Sequence, residues 1–278
     1  MRSFLVSALG AIAMAGDADY TLNGADWPGL CQTGKEQSPI DFGMVTLNDK
    51  LALNLDGYMN FPEGKMDKLS NTLQFNTLGE NTDAVLTLTR ADGSESKWKP
   101  AQFHFHAPSE HTVGGKLMDL EIHFVHLADA SAGNDGFAAV LGVFFDREAG
   151  GNEPNPFIES LKFDATTDQW DVSDVNVKDF LEGIDKSSFM SYDGSLTTPP
   201  CTEGVKWTVF LQAQPISDAQ LKAFTDRYAG NPAFYGGKGS NRVTLPLNGR
   251  TVSYTGFTGS GAASLGAAAL AIAAVLSF

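Results

Sequence analysis

The chain has 278 residues, with 33 acidic against 19 basic side chains and a formal net charge of -14. An acidic surface argues against nucleic acid or an anionic membrane as partner. The length suits a single domain with a real core, since all-β folds of this size are often undivided, and no internal repeat or linker interrupts it.

In chain order, Met1-Arg2 places a positive charge ahead of an almost uninterrupted apolar run, Ser3 to Ala15. The run ends in Ala13-Met14-Ala15, small residues at the positions a signal peptidase reads. Residues 1–15 are expected to be a secretory signal; a buried N-terminal helix would carry an amphipathic period that this stretch lacks. The domain is expected over 16–258. It holds two cysteines, Cys31 and Cys201. Export favours a disulfide between them over two buried thiols, closing a loop worth about 4–5 kcal/mol in the chain-entropy model.

Strand signals dominate the interior. Thr72 to Asn76, Ala84 to Thr89, Gln102 to His106, Leu120 to Leu127, Phe137 to Phe145 and Lys206 to Gln212 are rich in β-branched and aromatic residues between turn signals. Helical pattern is scarce. Ser217 to Tyr228 predicts a helix, with Ser217 capping, Gln220 answering it, and Leu221, Phe224 and Tyr228 on one face. A shorter helix is expected over Pro156 to Phe163. The fold class is mainly β with peripheral helices. Beyond the domain, Ala262 to Phe278 is uncharged and apolar but has no basic anchor, which makes it a poor transmembrane segment. Gly259-Ser260-Gly261 ahead of it suggests a glycolipid-anchor signal over 259–278, although the polar spacer is nearly absent.

The five histidines all lie between positions 104 and 126. Strand alternation puts Gln102, His104 and His106 on one face, with Phe103 and Phe105 on the other. In the next segment Glu121, His123 and Val125 share a face, while Ile122, Phe124 and His126 point away. If the two strands pair, His104, His106 and His123 supply three neutral nitrogens and leave a fourth tetrahedral position open, as in a catalytic zinc site. The rival is a cupin-type iron or manganese site, because His104-x-His106-x-x-x-Glu110 fits its first motif. The Pro-x-Gly of the second cupin motif is missing before His123. His126 is expected to be a hydrogen-bonded core residue.

At this point the chain resembles the alpha-class carbonic anhydrases. The matching pieces are Gln37-Ser38-Pro39-Ile40, Gln102 to His106, Ser109 to Val113, Glu121 to His126, Val140 to Phe144 and Gly194 to Pro200, in family order across the domain. The resemblance implies about ten strands in a twisted, mostly antiparallel sheet. It also implies a Zn2+ cofactor on His104, His106 and His123, and reversible hydration of carbon dioxide to bicarbonate and a proton. It assigns the reaction to Thr197 and Glu110, and the substrate pocket to Thr197, Thr198, Val125, Val140, Leu196 and Trp207. Gln102 and Glu121 would orient the metal ligands, with His111 and Tyr192 in a buried network behind them. The cysteine pair also falls where secreted members carry theirs. The alternative is a carbonic-anhydrase-like binding domain without activity, but such relatives typically lose a ligand histidine and this chain keeps all three.

One departure stands out. The fast members carry a proton-shuttle histidine where this chain has Leu73, and the chain has no histidine outside the cluster. Turnover is therefore expected to depend on buffer, and to rise on Leu73→His. Partners expected are carbon dioxide and bicarbonate, outside the cell or at its surface.

Overall fold

Twelve strands join in one sheet in the computed structural model, which describes residues 18–43, 46–47, 51–129, 136–234 and 239–255. The expected signal at 1–15 and the tail at 259–278 lie outside the described residues. The strands are β1 (Thr46–Leu47), β2 (Ala52–Asp56), β3 (Phe61–Lys68), β4 (Leu73–Phe75), β5 (Val85–Thr89) and β6 (Glu95–His106). They continue with β7 (Leu120–Ala128), β8 (Ala138–Phe145), β9 (Gln169–Val175), β10 (Phe189–Ser195), β11 (Glu203–Gln214) and β12 (Ser253–Thr255). The spatial order is β1-β12-β10-β11-β8-β7-β6-β4-β3-β9, with β5 on β6 and β2 on β5. All pairings are antiparallel except β1 with β12 and β8 with β11.

The sheet is mainly β and mostly antiparallel, as expected, but has twelve strands among the described residues where about ten were expected. Strands β3 and β9 carry little sequence signal. Phe61-Pro62-Glu63-Gly64 holds a proline and a glycine, and much of both strands faces solvent. They are strands because their backbones pair with each other and with β4.

Among the described residues, four short α-helices ring the sheet: α1 (Leu30–Thr33), α2 (Pro156–Ser160), α3 (Val177–Gly183) and α4 (Asp218–Asp226). Helix α4 has the expected capping box, with Ser217 accepting from the Gln220 amide and Gln220 reaching back. Helix α2 stops at Ser160, short of Phe163, because Lys162 takes φ +50° and cannot continue a right-handed turn.

The sheet separates two apolar clusters. One holds Phe103, Phe105, Ile122, Phe124, Leu141 and Val143 under the helices. The other holds Val125, Val140, Tyr192, Trp207 and Val209 on the opposite face. A third packs Tyr20 and Trp27 around the disulfide Cys31–Cys201, whose Cα atoms are 5.1 Å apart. Among the described residues, no helix is long and apolar enough to cross a membrane.

Candidate metal centre

Strands β6 and β7 pair with His104 opposite His123 and His106 opposite Glu121, so one register brings the three histidines together. Their ring centroids lie 5.1 Å (His104–His106), 5.3 Å (His104–His123) and 4.7 Å (His106–His123) apart. One nitrogen from each falls within 4.8 Å of the others. His106 and His123 are buried, and His104 is half-buried.

Each imidazole is held by its other nitrogen. His104 Nδ1 lies 2.8 Å from Gln102 Oε1, His106 Nδ1 2.7 Å from the Ser240 carbonyl, and His123 Nε2 3.0 Å from Glu121 Oε1. In each case an oxygen accepts the ring N–H, and this leaves Nε2, Nε2 and Nδ1 with their lone pairs toward one point. His106 Nε2 is buried with no hydrogen-bond partner, a state that costs free energy unless something else binds it. Burial lowers the pKa of all three, His106 to about 4. Like charges on neighbouring rings add to this at His104, whereas Glu121 opposes it at His123. All three are thus neutral at pH 7, the form a metal needs. Three imidazoles and no thiolate make a donor set suited to zinc.

Behind the histidines, the fully buried Glu121 carboxylate collects donors from the loop after β6 and from His123. Its Oε2 accepts from the Glu110 and His111 amides at 2.9 Å each, and its Oε1 from His111 Nδ1 at 2.7 Å. Burial pushes this carboxyl up, but the electrostatic pull and hydrogen bonds of the His111 and His123 rings prevail and hold it well below the usual range. His111 Nε2 meets the Tyr192 hydroxyl at 2.7 Å, and Tyr192 meets Ser38 Oγ at 2.8 Å. His111, Glu121 and His123 also form a metal-like group, but their polar atoms already bond one another, which leaves no open donor there. Gly142 stands opposite His123 on β8; a Cβ there would come 2.9 Å from Glu121 Oε1, so only glycine leaves room for the carboxylate.

Glu110 is fully buried beside this group, its Oε2 3.5 Å from His106 Nε2. Its Oε1 accepts from the Arg242 amide at 2.9 Å. Burial raises its pKa to about 7, against the pull of His123, the Thr197 hydroxyl and the Arg242 amide. Oε2 has no donor at hydrogen-bond distance, yet Thr197 is close enough to favour the charged form. Thr197 and Thr198 are buried on the turn before the disulfide, with the Cys201 amide donating to the Thr198 carbonyl at 2.8 Å.

The apolar residues come together in a row across the sheet. Register places Val125 opposite Val140, and Val140 beside Trp207. The Trp207 ring lies 4.8 Å from His123, its indole N–H donates to the Ser195 carbonyl at 3.0 Å, and Leu196 packs on the same cluster. His126 points to the other side, as parity required, with Nε2 2.5 Å from the Tyr58 hydroxyl.

Leu73 requires a correction. Register pairs Gln74 with His104 and Phe75 with Phe103, so Leu73 faces away from the histidines and is fully buried in the opposite core. A histidine there would enter the apolar core and not the cleft, so the gain expected from Leu73→His gives way to a loss of stability.

Sequence reasoning missed Ser240 and Arg242. Arg242 is almost fully buried and donates to Gln37 Oε1, the Ser38 carbonyl and the Cys31 carbonyl, tying the N-terminal segment to Glu110. Both residues lie in an irregular segment with no period to read. Their one signal is Gly239, where a Cβ would meet the Ala107 carbonyl at 2.7 Å, so glycine lets this segment approach β6.

The family model of eukaryotic-type carbonic anhydrase matches residues 23–256. Alpha carbonic anhydrase 3 of Arabidopsis thaliana is 32% identical over 82% of this chain and 76% of its own length. A carbonic anhydrase of Klebsiella pneumoniae is 34% identical over 80% of this chain and 81% of its own. Among solved structures, the Photobacterium profundum alpha-carbonic anhydrase superposes with a TM-score of 0.64 at 30% identity, covering 84% of this chain and 95% of that one.

Proposed function

The chain belongs to the eukaryotic-type, alpha-class carbonic anhydrase family, and from that premise we propose that it hydrates carbon dioxide reversibly to bicarbonate and a proton, with zinc held by His104, His106 and His123. The observation that carries this reading is the set of three converging neutral nitrogens, each fixed from behind by an oxygen. Zinc bound there would act as a Lewis acid that makes a nucleophile of water near neutral pH, a chemistry for which this family is the type example.

The remaining work falls to the chain's own side chains. Gln102, Ser240 and Glu121 fix ring orientation, which keeps the donor set matched to one ion. Thr197 would donate to Glu110 in its charged form and so present an oxygen lone pair toward the reacting oxygen, selecting one orientation for attack. A neutral Glu110 could donate back and scramble that orientation. A cation held by the neutral histidines would favour the carboxylate against the burial that raises its pKa to about 7. Val125, Val140, Leu196 and Trp207 offer an apolar wall suited to a linear substrate with little hydrogen-bonding capacity, and Thr198 stands beside the product. The disulfide supports placing the enzyme in an oxidising compartment, outside the cell or at its surface.

Stopped-flow carbon dioxide hydration on the purified protein tests the reading. Activity abolished by a zinc chelator and restored by zinc is expected. A folded, zinc-loaded protein without hydration activity would overturn it.

A further inference from the structure

Hydration releases one proton for each carbon dioxide consumed, and an acceptor at the cleft must carry it to buffer. No imidazole is placed to do so. Of the five histidines, three form the metal centre, and His111 and His126 are fully buried.

The sheet register shows what stands there instead. Asp67 on β3 pairs with Gln74 on β4, Gln74 with His104 on β6, and His104 with His123 on β7. The same row continues to Gly142 and Val209, and on the outer side to Gln169. Cross-strand partners share a face, so Asp67 lies on the histidine side of the sheet, two strands or about 10 Å of backbone from His104. It is the carboxylate of that row. Met66, next to it, faces the opposite core and is fully buried, whereas Asp67 is half-buried and reaches solvent.

Amides hold the Asp67 side chain in place. Gln74 Nε2 donates to Asn76 Oδ1 at 2.6 Å, Asn76 Nδ2 to Asp67 Oδ2 at 2.5 Å, and Gln169 Nε2 to Asp67 Oδ1 at 2.6 Å. Each carboxylate oxygen keeps a second lone pair. The nearby cations are committed elsewhere: Lys65 to Asp171 at 3.9 Å and Lys68 to Asp168 at 3.4 Å. Strand β4 brings no charge to this face.

Resting on the function proposed above, we infer that Asp67 is the proton acceptor at the cleft rim. The proton released by hydration passes through water to an Asp67 oxygen lone pair, giving the neutral acid, and a buffer base then takes it and regenerates the carboxylate. Only bonds to the travelling proton form or break, O–H along the relay and the bond to the buffer base at its end, and the amides position the acceptor without carrying the proton.

The test is steady-state hydration by zinc-loaded wild-type protein and Asp67→Asn in dilute and concentrated imidazole. The substitution keeps size and removes the charge at a half-buried position, and the exposed Gln169 can turn its amide oxygen toward the new N–H donor. In dilute buffer kcat is expected to fall roughly tenfold, below the usual contribution of a positioned proton acceptor because carboxylates as a class are poorly matched to neutral pH. The ratio kcat/KM, which reports the carbon dioxide step, should not move, and concentrated imidazole should restore kcat. Asp67→His should raise kcat in dilute buffer above wild type, since imidazole titrates near the working pH. Equal kcat for wild type and Asp67→Asn in dilute buffer overturns the relay alone, as does a parallel fall in kcat and kcat/KM. Absence of hydration in the wild type overturns the function and the relay with it.

Discussion

Strands β6 and β7 have two faces that do opposite work. On one, Phe103, Phe105, Ile122 and Phe124 are fully buried, and Phe103 packs its ring 4.8 Å from Phe75 and 5.2 Å from Phe124. That face holds the fold together through burial, at about 25 cal/mol per Å² of apolar surface. On the other, Gln102, His104, His106, Glu121 and His123 give up hydration and recover it through one another, the Ser240 carbonyl and the N–H groups of Glu110 and His111. A pleated strand separates stability from chemistry within the same few residues, and the apolar face keeps the polar one rigid enough to hold three nitrogens on one point.

Substitutions on the two faces should therefore fail in different ways. The largest effect is expected from His123→Ala: zinc content and hydration activity fall by well over 100-fold, more than the loss of an outer partner costs, while the protein stays folded by circular dichroism. Retained stoichiometric zinc would break the comparison. Next, Leu73→His puts an imidazole on the apolar face and should lower unfolding free energy by about 2–4 kcal/mol in urea, with zinc stoichiometry unchanged in the folded fraction. Unchanged stability together with higher turnover would show that Leu73 faces the cleft after all.

Smaller losses sharpen the picture. Glu121→Gln keeps shape but removes the charge that His111 and His123 share, so zinc affinity should fall about 10- to 100-fold in chelator competition, with a smaller change in melting temperature. An effect that appears only in acid concerns His126, whose pKa burial lowers to about 4. The folded protein holds this ring neutral while the unfolded chain protonates near 6.5, so its contribution is intact above that pH and is lost as pH falls toward 4. The slope is about 1.4 kcal/mol per pH unit at most, and His126→Gln should remove it from stability measured between pH 6.5 and 4.

How much was legible can be judged residue by residue. His104, His106, His123, Gln102 and Glu121 were readable as one face because alternation is local. The capping box of α4 was readable because its two partners, Ser217 and Gln220, lie three residues apart. Strands β3 and β9 were not, since their proline, glycine and exposed charges suppress the pattern and only pairing makes them strands. Leu73 was placed at the cleft by likeness of sequence, whereas register shows that Gln74 faces His104 and Leu73 the core.

By itself, the sequence determined the three candidate ligand histidines and the faces they occupy, because side-chain direction along a strand repeats every second residue and needs no distant partner. Only the tertiary structure decided what surrounds them. The Ser240 carbonyl reaches His106 across 134 positions, and Arg242 reaches Cys31 across 211. Asp67 joins the histidine row through two strand registers. Such contacts depend on which strands pair and where loops return, which are set by burial across the whole sheet and leave no period in any one segment.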